Sequence, residues 1–194
     1  MTDALKIITL LLFIGWRVYW LVTERKADRE KPKKEKAMSF FEKKRLMRHA
    51  LWIVGIILCL QLLFGVTLLP MPVSVLVERL GFILVVFGLG LAILARHQLD
   101  TNWANAWEYQ VKHKQELITT GVYTYIRNPI YTGIIVAIVG AELVAQSYLF
   151  LFFFAFFWGA YRQAKKEERI LAAHFGKEYL AYKKRTKMLI PFII

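Results

Sequence analysis

Thr119-Thr120-Gly121-Val122-Tyr123-Thr124-Tyr125-Ile126-Arg127-Asn128-Pro129-Ile130-Tyr131-Thr132-Gly133 is a polar loop that runs without a break into an apolar segment of membrane grade. The apolar run it opens, Ile130–Ala145, is followed by a second, Ser147–Ala160, and only Ala145-Gln146-Ser147 stands between them. Each run is short for an independent bilayer crossing, so the pair reads as a tight helical hairpin whose tip just reaches the far interface. A loop that merely joined two spans would not need this much hydrogen-bonding chemistry beside lipid. Arg127, Asn128 and Tyr131 therefore sit where a charged ligand and the bilayer surface meet.

Outward from this stretch the rest of the chain agrees with a membrane fold. It has 194 residues, is 57% hydrophobic and carries a formal net charge of +13. The apolar residues fall into long runs parted by basic segments, which is the pattern of a small polytopic membrane protein. The basic excess is better matched to anionic lipid headgroups than to nucleic acid, because each basic block abuts an apolar span. Upstream spans are expected at Ala4–Val22, Leu51–Leu69 and Leu76–Ala95, with Gly81, Gly88 and Gly90 in the third permitting close helix approach. The first run is too long for a signal core and lacks a small-residue cleavage site, so it is expected to be retained. Trp16, Tyr19 and Trp20 form an aromatic belt at its end, and Arg17 can snorkel to the headgroups.

The expected architecture is thus an all-α integral membrane protein with five transmembrane helices. Residues 1–96 would hold three spans and a basic cytoplasmic first loop, and 97–194 the polar loop, the helical hairpin and the amphipathic tail. Lysine and arginine crowd Glu24–Arg48 and the tail from Arg162 to Lys187, whereas Pro70–Val75 has neither. The positive-inside rule then places the first loop, the Arg96–Asn128 loop and the C-terminus in the cytoplasm and the N-terminus outside. In the tail, Leu171, Phe175, Tyr179 and Tyr182 recur at helical spacing against charged residues. Lys165–Arg185 is accordingly expected as one amphipathic interfacial helix that returns to the membrane at Leu189–Phe192.

Polar residues suited to chemistry collect in the loop entering the fourth span and at the junction after the fifth. Pro129 fits a first helical turn, where its missing donor is harmless. The helix start then offers unpaired backbone donors and a positive dipole end, and Arg127 adds an anion-binding fork. Those residues alone fit an anion site or a plain helix cap beside lipid phosphates equally well. Glu167 and Glu168, on spacing alone, fit ordinary surface pairing with Lys165, Lys166 or Arg169. Glu142 is expected at the outer interface, since a buried carboxylate is costly without a partner. Cys59 is the lone cysteine, and His49, His97, His113 and His174 have no metal-ligand spacing, so no metal site is expected.

Taken in order, these residues resemble the isoprenylcysteine carboxyl methyltransferase family, within a wider group that includes phospholipid N-methyltransferases. The resemblance runs from Leu99 to Pro191, about half the chain. It is carried by Leu99 with Asn102-Trp103, by Gln115–Tyr123, and by Arg127-Asn128-Pro129 with Tyr131 to Gly133. Glu167-Glu168, Phe175-Gly176, Tyr179, Tyr182 and the Pro191 ending complete it. Relatives usually carry histidine where this chain has Asn128, and often where it has Gln115. Asparagine and glutamine hydrogen-bond but do not titrate near neutral pH, which makes both positional.

The resemblance implies S-adenosylmethionine as methyl donor, with S-adenosylhomocysteine as product. Gln115, Leu117, Val122, Tyr125, Asn128 and Tyr131 are expected to shape the donor pocket, and Glu167 to bind the donor's ribose hydroxyls or amino group. Arg127 is the expected guide for an acceptor carboxylate, with Arg162 a second candidate. A carboxylate acceptor is already ionised at neutral pH and needs no general base. The expected reaction is therefore methyl esterification of an isoprenylcysteine or similar lipophilic thioether carboxylate entering sideways from the bilayer. Phospholipid (ethanolamine) N-methylation is the alternative; it would require a base to deprotonate the ammonium. A non-catalytic basic membrane anchor is the other, and a pure anchor has no use for a preorganised pocket. Oligomeric state and natural acceptor are not legible.

Overall fold

The structure, a computed structural model, describes residues 2–29, 44–67, 69–100 and 116–193. Gln115, His113, Asn102, Trp103 and much of the basic first loop lie outside the described residues. Every regular element among the described residues is helical, and extended backbone pairs only as isolated bridges. The helices are α1 (Thr2–Arg29), α2 (Lys44–Phe64), α3 (Val75–Leu99), α4 (Pro129–Val144), α5 (Phe153–Phe175) and α6 (Lys177–Arg185). Short 3₁₀ turns at Gly121–Thr124 and Tyr148–Phe152 precede α4 and α5.

Local chemistry accounts for where these helices start and stop. Gly65, at φ 65°, ends α2 short of Leu69, the end expected for that span. Ser74 opens α3, its Oγ accepting from the Val77 amide at 3.4 Å. Pro129 occupies the first turn of α4 as expected. The C-terminal region departs from expectation in one respect. α5 continues past the apolar run through Glu167 and Glu168 to Phe175, and Gly176 at φ 53° then breaks the chain before α6. The single tail helix expected over Lys165–Arg185 is therefore two. A left-handed φ at Gly176 is open to glycine and costly for most other residues.

Ala4–Arg25 and Val75–Leu99 are long and apolar enough to cross a membrane, and Ile53–Phe64 and Pro129–Val144 are shorter apolar helices. Only 17% of the first window and 33% of the second is buried within the chain, so most of this apolar surface is left uncovered by the chain itself.

The chain divides into two compact units. The first comprises Met1–Leu89 and Ala137–Leu151. Its core is Leu58, Val85, Leu89, Ala137 and Ala141, flanked by Leu12, Phe13, Trp16 and Val54. Gly81 and Gly140 meet backbone to backbone: a Cβ on Gly81 would stand 2.7 Å from the Gly140 carbonyl oxygen. That approach is the one small residues permit between packed helices. Glu142 is 6% exposed within the chain and accepts a 3.2 Å hydrogen bond from Gln61 Nε2. The amide supplies the partner that a buried carboxylate requires. The turn after α4 is fastened by Met71 N to Gln146 O at 2.8 Å and Tyr148 N to Leu69 O at 2.7 Å.

The second unit comprises Gly90–Val136 and Phe152–Ile194. Ala164, Met188 and Leu189 form its core, with Tyr131, Phe157, Tyr161 and Ile190 packed around them. Tyr179 and Tyr182, which lie on α6, are buried, as is Tyr123. All the candidate site residues that are described belong to this unit.

Candidate active site

The loop before α4 is built from its own turn chemistry and from a returning C-terminal segment. Gly121 adopts φ 63°, and a side chain there would strike Gln98, whose Oε1 accepts the Val122 amide at 3.0 Å. The buried Tyr123 hydroxyl donates to the Ala95 carbonyl at 3.3 Å, and Tyr182 donates to the Tyr123 carbonyl at 2.7 Å. Burial pushes both phenols up, that of Tyr182 to about 12, so they act as neutral donors. Next, Ile126 and Lys187 form a parallel bridge. The amides of Arg127 and Asn128 donate to the carbonyls of Lys187 (2.8 Å) and Met188 (3.1 Å), and Lys187 N returns a bond to Tyr125 O at 3.2 Å. The first turn of α4 thus carries a backing of C-terminal backbone.

On this scaffold, Tyr131 in the first turn of α4 reaches Glu167 on α5, its hydroxyl 2.5 Å from Oε1. Gln163, one turn earlier on α5, donates to the same oxygen at 3.1 Å. Burial pushes the Glu167 carboxyl above the ordinary carboxylate range, and the hydrogen bonds from Tyr131 and Gln163 pull it back in part. Glu167 is therefore no surface carboxylate paired with neighbouring lysines. It is held by two neutral donors at the base of two helices.

Arg127 is engaged differently from its neighbour. Its Nε donates to Glu168 Oε1 at 2.6 Å, and the two side chains are 7% and 4% exposed. Its Nη1 donates to the carbonyls of Thr186 and of Lys183, the latter at 3.3 Å. The fork expected for a substrate carboxylate thus holds a carboxylate of the chain itself. Asn128 Nδ2 donates to the Met188 carbonyl at 3.3 Å, in keeping with a positional role. Leu117 and Val122 are partly buried, while Tyr125 and Arg162 are exposed. The structure brings Tyr131 together with Glu167, and Asn128 with the C-terminal segment. It gives Arg162 no such place in the network.

Sequence spacing misses Glu168, Gln163, Lys183 and Thr186. The partners of Glu168 and Thr186 lie 41 and 59 residues away, far beyond the one-turn pairs that helical spacing reveals. Gln163 could have been found from its place one turn before Glu167. Nothing local marks Thr186.

This arrangement suits a cationic ligand on the Glu167 side. A carboxylate with two neutral donors on one oxygen keeps its other oxygen for an ammonium or a diol. A methyl donor with an α-ammonium, a sulfonium and a ribose diol has that chemistry.

Comparison with known proteins follows the same residues. A sequence model of the phospholipid methyltransferase family matches residues 76–178, more than half the chain and a range that contains every candidate site residue. A protein-S-isoprenylcysteine O-methyltransferase of Homo sapiens is 32% identical over 115 residues, covering 58% of this chain and 40% of its own length. One from Saccharomyces cerevisiae is 30% identical over 116 residues, covering 59% and 48% respectively. The similarity thus spans less than half the length of these relatives. A solved structure of a eukaryotic intramembrane Ras methyltransferase, an isoprenylcysteine carboxyl methyltransferase, superposes with a TM-score of 0.62 at 17% identity. That superposition covers 95% of this chain and 68% of the solved one, so the two share a fold. The chain accordingly belongs to the phospholipid methyltransferase family, and it is similar over that stretch to protein-S-isoprenylcysteine O-methyltransferases.

Proposed function

We propose that this protein is an S-adenosylmethionine-dependent protein-S-isoprenylcysteine O-methyltransferase, esterifying the carboxylate of a lipid-modified cysteine or a similar lipophilic thioether acid. The observation that carries the reading is the Tyr131–Glu167–Gln163 constellation, lying inside the segment that matches the methyltransferase family. When bound, S-adenosylmethionine supplies the methyl group. Glu167 would hold its ammonium or ribose hydroxyls, with Tyr131 fixing the carboxylate in place. Leu117, Val122, Tyr125, Asn128 and Gln115 would line the remaining pocket. The acceptor carboxylate arrives ionised, so the chain has only to orient it and exclude water. Arg162, exposed on α5 within two turns of Glu167, is proposed to draw it in. Arg127 is proposed to serve the acceptor mainly through the loop geometry it fixes, because its Nε and Nη1 are already bonded.

The membrane disposition is part of the proposal. Five spans, an extracytoplasmic N-terminus, and a cytoplasmic site and C-terminus follow from the basic blocks, which would also bind anionic headgroups. α6 and the residues after it would lie at the interface. Trp158 stacks on Tyr161 at 5.7 Å, and Lys165 Nζ lies 4.6 Å from the Tyr161 ring centroid. Such an aromatic-to-lysine ladder suits a helix leaving the hydrocarbon, with Glu167 in the headgroup layer just beyond. A lipid acceptor would then enter sideways from the bilayer.

Phospholipid N-methylation stands as a second reading for one reason. A carboxylate whose pKa is raised by burial, as at Glu167, is a better base for an ammonium than an ordinary one. The first experiment is calorimetry on the detergent-solubilised protein with S-adenosylhomocysteine. Saturable binding supports a methyltransferase, and no detectable binding returns the chain to the anchor reading.

A further inference from the structure

Glu167 has a proposed role at the donor; Glu168, the next residue, has none. Successive residues on an α-helix point about 100° apart, so the two carboxylates face different neighbours. Glu167 looks to Tyr131, and Glu168 to Arg127 and the C-terminal segment. Glu168 is 3% exposed. Its Oε1 accepts from Arg127 Nε at 2.6 Å, and Lys183 Nζ lies 3.0 Å from its Oε2. Arg127 Nη1 in turn bonds the Thr186 carbonyl, and Thr186 Oγ1 donates to the Tyr182 carbonyl at 2.8 Å. One buried ion pair thereby joins α5, the loop entering α4, the end of α6 and the residues after it.

We propose that Arg127 and Glu168 form a clamp that holds the segment Thr186–Leu189 against the loop entering α4, which makes Glu168 a positioning residue. Everything the clamp closes on is backbone-specific. Arg127 N, Asn128 N and Lys187 N are paired across the two segments, and Thr132 Oγ1 donates to the Leu189 carbonyl at 2.7 Å. Asn128 and Tyr131 are thus held from behind by residues that follow α6. Without Glu168 the guanidinium would keep only neutral partners, the Thr186 and Lys183 carbonyls and the Thr186 hydroxyl, and a buried charge without its counter-ion favours a conformation that reaches water. The tail would then lift, and the wall carrying Asn128 and Tyr131 would loosen. This kinetic consequence rests on the donor-site reading above; the clamp itself rests on the geometry.

The test is hydrogen exchange by mass spectrometry on the full-length protein in detergent, comparing wild type with Glu168→Gln. The amides of Arg127, Asn128 and Lys187 should exchange about tenfold faster in the variant or more, while those of α3 around Val85 keep their protection. In turnover assays KM for the donor should rise about tenfold with kcat within about threefold, and Glu168→Asp should recover part of the loss. Should Glu168→Gln not fold, Lys183→Met removes only the exposed arm and should give a smaller acceleration at the same amides. Unchanged exchange at those three amides in a folded variant overturns the clamp. Faster exchange in a protein that binds no S-adenosylhomocysteine would uphold the clamp and remove the donor site.

Discussion

Glu167 sits under two opposing influences, and their balance makes it testable. Burial disfavours its charge, while Tyr131 and Gln163 favour it, and the net effect lifts its pKa above the ordinary carboxylate range. The folded state therefore binds more protons than the unfolded state between the ordinary value and the raised one. In that window stability falls as pH rises, and the full cost of ionisation is present only above the raised value. A cationic donor reverses the preference, because it favours the ionised carboxylate. Affinity for S-adenosylhomocysteine, which keeps the α-ammonium, should rise with pH through the window by up to about tenfold per unit and then level off. Glu167→Gln should lower affinity about 10–100-fold and flatten the profile, as loss of a hydrogen bond to a charged group does. Calorimetry across pH checks both, and a wild-type affinity that is flat with pH would remove Glu167 from the donor. Residue type and resemblance single out Glu167, but its surroundings were not legible. Spacing pairs Glu167 and Glu168 with adjacent lysines. The structure hands them to Tyr131 and Arg127, brought close only by tertiary packing.

At the scale of elements, glycine separates contact from mere presence. The sequence offers Gly81 and Gly90 on α3 as equivalent points of close approach, yet they differ. A Cβ at Gly81 would meet Gly140 O, Leu143 Cβ and Val144 N within 2.8 Å, whereas nothing lies within 4 Å of one at Gly90. Gly81→Ala should destabilise the first unit by about 1–3 kcal/mol through overpacking. Gly90→Ala should be neutral or stabilising by up to about 1 kcal/mol, through helix propensity. Thermal unfolding in detergent distinguishes them, and equal effects would contradict the close helix contact. Apolar runs located α1 to α4 well, because hydrocarbon imposes length and uniformity on helices. They marked the end of α5 poorly. Its polar second half is mostly exposed or half-buried, with Glu168 turned in against Arg127, so the helix continues where the apolar run has stopped. Gly176, quoted in the sequence only as part of a resemblance, is where the chain turns.

For the whole molecule, two long and mostly unburied apolar helices, a family match over residues 76–178 and a shared fold with an intramembrane methyltransferase describe a membrane protein. Within it the described candidate residues belong to one unit, where Tyr131 at the start of α4 meets Glu167. An all-helical fold was readable from the apolar runs, and the family from the order of motifs. The clamp was not readable, since Thr186 and Lys183 have no signature of their own. The proposed reaction turns on the identity of the acceptor atom. A carboxylate oxygen needs no base and gives an ester; an amine needs one and gives a stable C–N bond. The most direct measurement supplies S-adenosylmethionine carrying a labelled methyl group, together with a prenylated cysteine analogue, to the purified full-length protein. Label that passes into the lipid product and is released as methanol by mild base is the predicted result. Label retained through base on a lipid amine, with none on the prenylcysteine, would contradict it.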